Sequence, residues 1–138
     1  SDFAQYHPGG TLGKRLLTKA HDVMRTEELP VISPTMKLGE AVIHMSNGRL
    51  GLCVATENDK VAGIITDGDI RRAMENSQDS FFSLTVSDIM TRTPKSVAPE
   101  TKITEIEKIL HQYKIHSVLV VDTENHLLGV VDSFSTMI

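Results

Sequence analysis

Apolar positions follow two spacings along the chain, and the same order of spacings occurs twice. A short extended segment, at 31–32 and again at 96–97, precedes Pro34 or Pro99, and proline disfavours helix at the residue before it. After each proline, apolar residues spaced three and four positions apart predict one face of a helix: Leu38, Ala41, Val42 and Met45 in the first half, and Ile103, Ile106, Ile109 and Leu110 in the second.

Two apolar runs rich in β-branched residues follow each predicted helix and predict a pair of strands. These runs lie at 52–55 and 61–65 in the first half, and at 118–121 and 127–131 in the second. A polar turn that carries Asn together with Asp or Glu separates the two members of each pair. A further helix is predicted from about Gly68, so each half has the order β-α-β-β-α.

Direct comparison of the two halves indicates an internal duplication. Asp22-Val23-Met24 recurs 66 positions later as Asp88-Ile89-Met90, and Gly63-Ile64-Ile65 recurs at the same offset as Gly129-Val130-Val131. A unit of roughly 55 residues is too small to bury a stable core alone. We therefore expect an α+β (mixed α/β) fold in which two units pack sheet to sheet about a pseudo-two-fold axis.

Charge and composition exclude several classes of function. The 138 residues include 14 Lys and Arg against 18 Asp and Glu, a formal charge of −4, which argues against binding to nucleic acid or to an anionic membrane. The sequence has neither an apolar stretch of bilayer-spanning length nor a secretory signal. We therefore expect a cytoplasmic protein.

Cysteine and histidine positions predict no metal site. Cys53 is the single cysteine, which excludes an internal disulfide and a thiolate zinc cluster, and its apolar surroundings predict a buried core residue. The six histidines form no closely spaced pair with Cys or Asp on a common face, so we predict no metal ligands among them.

The duplication, the two Asp-x-Met segments and the stretch Gly-Ile-Ile-Thr-Asp-Gly-Asp at 63–69 together resemble a tandem pair of CBS domains. The resemblance covers about residues 21–138. It implies a nucleotide site opened by Gly63, in which the Thr66 hydroxyl contacts a phosphate and the Asp69 carboxylate holds the ribose diol. The guanidinium of Arg71 or Arg72 can meet a phosphate through two hydrogen bonds.

The same residues have a purely structural interpretation. Thr-x-x-Asp ahead of an apolar helix is also a capping pattern, with Thr66 as the N-cap and Asp69 three residues later, and one pair can serve both purposes. The second copy has Asp132 in place of Thr66 and Ser135 in place of Asp69. Because a carboxylate repels phosphate and serine is a poor bridge for a diol, we expect at most one nucleotide site.

Residues 1–17 lie outside the duplication and match the pattern Asp-Phe-Ala-x-x-His-Pro-Gly-Gly. They resemble the junction of D-arabinose 5-phosphate isomerases, in which a sugar-isomerase (SIS) domain precedes two CBS domains. The resemblance implies a junction at 1–20, a first CBS unit at 21–76, a linker at 77–86 and a second unit at 87–138. It places His7 in the isomerase active site. The alternative is that His7 only caps the turn of the linker.

The resemblance also implies a function for the longer protein. It would interconvert D-ribulose 5-phosphate and D-arabinose 5-phosphate for 3-deoxy-D-manno-octulosonate (Kdo), a component of lipopolysaccharide or capsule, without a required cofactor. The chain alone is expected to be inactive and to regulate the isomerase by sensing a nucleotide or a CMP-sugar. The alternative is a structural module for oligomerisation. In either case we expect a dimer of the pair and a tetramer of the full enzyme.

Overall fold

Two three-stranded sheets, one from each half of the sequence, carry the fold. The computed structural model describes residues 11–48 and 50–137. The first sheet has the order β1-β2-β3 and the second the order β4-β5-β6. The strands are β1 (Val31–Ile32), β2 (Leu52–Glu57), β3 (Lys60–Thr66), β4 (Ser96–Val97), β5 (Ser117–Val121) and β6 (Leu127–Asp132).

The helices agree with the predicted order in the first half and differ at the end of the second. They are α1 (Thr11–Leu17), α2 (Ala20–Val23), α3 (Leu38–Gly48), α4 (Asp67–Ser77), α5 (Val86–Ile89) and α6 (Ile103–Tyr113), and a 3₁₀ helix spans Gln78–Ser83. After β6 the predicted helix is a single turn, in which Asp132 O accepts the Ser135 N–H. The prediction of a second helix in this copy is therefore wrong for the described residues. Their hydrogen bonds join residues three positions apart, a pattern that forms turns and short 3₁₀ segments rather than an α-helix.

Pairing within the first sheet explains the continuous apolar run of its central strand. β2 pairs in parallel with β1 and antiparallel with β3, and a register shift between Ala55 and Thr56 interrupts the second ladder. Residues 52–55 of β2 are all buried. A strand covered on both faces has no polar alternation, which accounts for the sequence pattern. The second sheet repeats the parallel pairing, with β4 beside β5.

The segment that opens each sequence repeat completes the sheet of the other repeat. One compact unit takes residues up to Thr26 together with 95–123 and those from Leu128 on, and the other takes 27–94 with 124–127. In the first of these units, Arg25 and Val130 exchange two backbone hydrogen bonds of 2.8 and 3.0 Å. The compact units therefore do not coincide with the sequence repeats, whose predicted bounds stay predictions.

The same arrangement occurs in the unit formed by 27–94 and 124–127. Ile64 on β3 and Thr91 exchange backbone hydrogen bonds of 2.9 and 2.8 Å, and Leu84 O accepts the N–H of Leu38. Phe81 is 2% exposed and anchors the predicted linker in the core of this unit. Each opening segment thus covers the outer edge of a strand that would otherwise present unpaired backbone groups.

The methionine of each Asp-x-Met segment packs against one of the recurring glycines. A Cβ on Gly63 would lie 2.6 Å from the Thr91 carbonyl oxygen and 2.9 Å from Met90 Sδ. In the other unit, a Cβ on Gly129 would lie 2.8 Å from both the Arg25 carbonyl oxygen and Met24 Sδ. Glycine is therefore needed at both positions because backbone and methionine pass directly over the strand.

The aspartate of each opening segment caps its short helix. Asp22 Oδ2 accepts the Lys19 N–H at 2.9 Å, and Asp88 Oδ2 accepts the Thr85 N–H at 2.8 Å. These bonds supply partners for backbone N–H groups at the start of α2 and α5. Hydrogen bonds from the backbone and side chain of Thr85 also hold the pKa of Asp88 below its ordinary value.

We predict that Gly129→Ala destabilises the protein by about 1–3 kcal/mol, because its methyl group must displace the Arg25 backbone. Urea unfolding measures the change, and amide exchange should rise at Arg25 and Val130. Gly39→Ala is the matched control: its Cβ would meet only the Phe82 side chain, at 3.2 Å, and alanine favours helix. A Gly129→Ala protein as stable as the parent would contradict this packing.

Candidate functional site

The proposed nucleotide residues lie where β3 passes directly into α4. Thr66 has extended backbone angles and is the N-cap of the helix. Its hydroxyl oxygen accepts the Asp69 N–H at 3.2 Å, and Asp69 Oδ2 accepts the Thr66 N–H at 2.9 Å. The two residues therefore form a capping box, as the structural interpretation of the sequence predicts.

A third predicted residue joins this pair. Arg72 Nη2 donates to Asp69 Oδ1 at 2.7 Å, so both carboxylate oxygens of Asp69 have a partner. The Asp69 side chain is 18% exposed, whereas the Arg72 side chain is 66% exposed. The site thus combines a nearly buried acceptor with a solvent-accessible cation.

Gly63 and Arg71 are not part of this cluster. Gly63 lies three residues earlier on the strand, about 10 Å from Thr66, and is covered by Met90 and Thr91. The structure therefore gives Gly63 a packing role. Arg71 is exposed on the second turn of α4. The ligand roles of all five residues stay predictions, and His7 lies outside the described residues.

The second repeat reverses the chemistry of the cap. Asp132 Oδ1 accepts the backbone N–H of Ser135 at 2.8 Å and its hydroxyl at 3.0 Å. The carboxylate thus stands at the cap position and the hydroxyl three residues later, the opposite of the first repeat. Both arrangements satisfy a terminal N–H group, but only the first sets a carboxylate inside the helix and a hydroxyl at its start.

A second carboxylate and an ordered turn lie beside the cap, and sequence reasoning did not single them out. Gly51 has a positive φ of 69°, and its carbonyl accepts the Asp67 N–H at 3.1 Å. A Cβ on Gly51 would lie 3.2 Å from Asp67 Oδ2. The second copy has His116 at the position of Gly51, and its carbonyl accepts the Ser133 N–H at 2.9 Å, so the backbone contact recurs although the glycine and the carboxylate do not.

Equivalent surfaces of the two repeats carry similar depressions. One, of about 330 Å³, is lined by Val42, Met45, Ser46, Gly51, Asp67 and Ile70. The other, of about 250 Å³, is lined by positions that correspond in the duplication, including Glu107, Leu110, His111, Ser133 and Thr136. Each lies between the long helix of a repeat and the residues that follow its last strand.

Burial also keeps the thiol of Cys53 protonated near neutral pH, because it raises the pKa of that thiol. Cys53 on β2 is fully buried, with Sγ 3.9 Å from the Ala41 carbonyl oxygen. Burial raises the pKa of the Cys53 thiol to about 11, and the negative charge of Asp67 adds to the rise. The predicted core role of Cys53 is therefore confirmed.

Within residues 11–48 and 50–137, no group of three or more His, Cys, Asp and Glu side chains is placed to hold a metal ion. None of the described helices combines the length and the apolar character needed to cross a bilayer.

A protein-family model described as the CBS domain matches residues 20–76 and 86–134. The chain belongs to the CBS domain family. The predicted resemblance to a tandem CBS pair is therefore confirmed, and so is the α+β fold class, since each repeat contributes a three-stranded sheet and helices.

Relatives similar along nearly the whole CBS pair are named as isomerases. The chain is 42% identical over 132 residues to a probable arabinose 5-phosphate isomerase of Haemophilus influenzae, covering 96% of this chain and 39% of that protein. It is 40% identical to arabinose 5-phosphate isomerase KdsD of Francisella tularensis, covering 94% and 40% of the two chains. The chain thus spans about two fifths of the length of these relatives.

Solved structures of CBS proteins share the fold. CBSX2 in complex with AMP superposes with a TM-score of 0.76 at 19% identity, covering 86% of this chain and 92% of that one. The CBS domain pair of MJ0100, in complex with 5′-methylthioadenosine and S-adenosyl-L-methionine, has a TM-score of 0.77 at 22% identity and covers 88% and 94%. At these identities the likeness establishes the fold alone.

We predict that Cys53 reacts with iodoacetamide at least about a hundredfold more slowly in the folded chain than in urea, since a raised pKa leaves little thiolate. Reactivity should stay low through neutral pH and rise only towards the raised pKa. Mass spectrometry of alkylated samples taken along a pH series gives the rates. Equal rates in folded and unfolded protein would show that the thiol is accessible and its pKa ordinary.

Proposed function

We propose that the chain is the C-terminal CBS portion of a sugar-phosphate isomerase and that its CBS pair senses a nucleotide or sugar nucleotide. The identity of about 40% to relatives named arabinose 5-phosphate isomerase extends over 94–96% of this chain, which supports the first part. The longer protein would interconvert D-ribulose 5-phosphate and D-arabinose 5-phosphate for Kdo, lipopolysaccharide or capsule synthesis in the cytoplasm.

The observation that carries the sensing role is the capping box at Thr66 and Asp69. An ionised carboxylate only accepts hydrogen bonds and can take two from the neighbouring hydroxyls of a ribose. The Thr66 hydroxyl lies beside the first N–H groups of α4, a position that favours an anion such as phosphate. Neighbours of the same fold are described in complex with AMP and with S-adenosyl-L-methionine, which supports a nucleotide-like ligand here.

Chemistry in the longer protein would need no cofactor. Moving a proton between adjacent carbons of a sugar phosphate requires a base and an enediol intermediate. Histidine suits that role because its ordinary pKa lies close to neutrality. His7, in the junction, is our candidate for a residue of that active site, and a CMP-sugar made from the product is a candidate regulator.

Self-association is the second candidate function. In the unit that holds the capping box, Ile43, Met74 and Phe82 are 60%, 47% and 72% exposed. The Phe82 ring lies over Gly39, one helical turn from Ile43. Exposed large apolar residues close together are typical of protein interfaces. A dimer of the pair within a tetrameric enzyme would cover them.

We predict that the chain binds AMP or CMP and that Asp69→Asn weakens this binding about tenfold or more, because the amide loses the charged acceptor. Isothermal titration calorimetry measures both affinities. Asp88→Asn is a matched control, since Asp88 occupies the same position in the capping box of α5. Unchanged binding by Asp69→Asn, or no binding of any nucleotide at millimolar concentration, would contradict the proposal.

We predict that the longer protein converts D-ribulose 5-phosphate and that the 138-residue chain does not. Coupled assays of arabinose 5-phosphate formation would compare the two. In the longer protein, His7→Gln should lower kcat by at least about a hundredfold if His7 transfers a proton, whereas His126→Gln, at the residue directly before β6, should have little effect. Turnover by the chain alone would overturn this division.

A further inference from the structure

The guanidinium of Arg72 lies across the first turn of α4. Its Nη2 is 2.7 Å from Asp69 Oδ1, and its Nη1 is 3.2 Å from the position that a Cβ on Gly68 would occupy. A side chain at residue 68 would therefore press on the guanidinium. Glycine leaves room for Arg72 to lie flat against the turn and to reach the carboxylate three residues before it.

This contact competes with the proposed ligand for Asp69. One carboxylate oxygen, Oδ2, already accepts the Thr66 N–H, and the other is covered by Arg72. A ribose diol donates two hydrogen bonds, so it must share Oδ1 with the guanidinium or displace it. Arg72 can leave Asp69 at little cost, because its side chain is 66% exposed and exposed ion pairs one turn apart on a helix contribute little to stability.

The charges around the cap indicate that a phosphate bound there needs a nearby cation. Asp67 and Asp69 place two carboxylates in the first turn of α4, which opposes the approach of a phosphate to the helix start. With a net charge of −4, the protein as a whole does not attract anions either. A nearby guanidinium is thus needed to offset the acidic turn, and it binds phosphate oxygens through paired hydrogen bonds.

We propose that Arg72 selects phosphorylated ligands: it covers Asp69 in the free protein and moves to the phosphate when a nucleotide binds. The proposal rests on the nucleotide site proposed above. A nucleoside competes with Arg72 for Asp69 and offers the guanidinium no new partner, whereas the phosphate of a nucleotide accepts the guanidinium as it leaves Asp69. The second repeat has no such pair, since Ser135 and Ile138 stand at the corresponding positions.

Calorimetric titration of AMP and adenosine, and of CMP and cytidine, tests this selection in the parent chain and two variants. Arg72→Met keeps a long side chain without charge and should weaken AMP or CMP binding about tenfold. It should leave adenosine or cytidine binding unchanged or tighter. Lys60→Met, which removes an exposed cation at the far end of β3, about 20 Å from Thr66, is the control and should alter neither.

Equal weakening of nucleotide and nucleoside by Arg72→Met would mean that Arg72 only orients Asp69, and the selection proposal would be wrong while the nucleotide site stands. The same holds if Lys60→Met weakens nucleotide binding as much as Arg72→Met does, or if the parent chain binds nucleoside as tightly as nucleotide. If the parent chain binds none of the four compounds at millimolar concentration, the nucleotide site fails too. Circular dichroism of each variant checks that the fold is retained.

Discussion

Backbone pairing at the outer edges of β3 and β6 is the interaction on which both units depend. Ile64 pairs with Thr91 and Val130 pairs with Arg25, so the N–H and C=O groups of Ile64 and Val130 have partners at the edges of their sheets. Close approach requires glycine on the strand, and a methionine fills the space above it. Since the pairing segment comes from the opening of the other repeat, neither repeat holds a complete unit within its own stretch of sequence.

Helix capping is the second device that recurs through the chain, and it places the candidate site. Asp22, Asp69 and Asp88 each accept the N–H of the residue three positions earlier. Of these three caps, the one at Asp69 follows a strand without an intervening loop, and its carboxylate also pairs with the guanidinium of Arg72. The carboxylate proposed to hold a ribose is therefore fixed by folding interactions before any ligand arrives, which lowers the cost of ordering it on binding.

Local charge, rather than the charge of the whole protein, governs what this cap can bind. An overall charge of −4 and two aspartates in the first turn of α4 make the helix start a weak anion site on its own. Arg72 changes this balance, since it is the cation already in contact with the turn. Helix capping and ligand binding by Thr66 and Asp69 therefore do not exclude each other. In the absence of ligand, the same two residues cap the helix.

The sequence by itself determined the duplication, the six strands within a few residues, the long helices and the cap at Thr66. These features depend on spacing between near neighbours, which the order of residues states directly. Spacing overestimated the last helix, because only a single turn follows Asp132. It also did not reveal the short helices α2 and α5.

Only the tertiary structure decided which unit each opening segment joins and why Gly63 is glycine. The decisive partners, Thr91 for Ile64 and Val130 for Arg25, lie far apart in sequence, and a pattern of apolar positions does not say which edges meet. The choice of Arg72 over Arg71 is likewise conformational. Both arginines follow Asp69, but helix geometry places Arg72, three residues later, on the same face as the Asp69 carboxylate. Because Gly68 has no side chain, the guanidinium can lie against the first turn of α4.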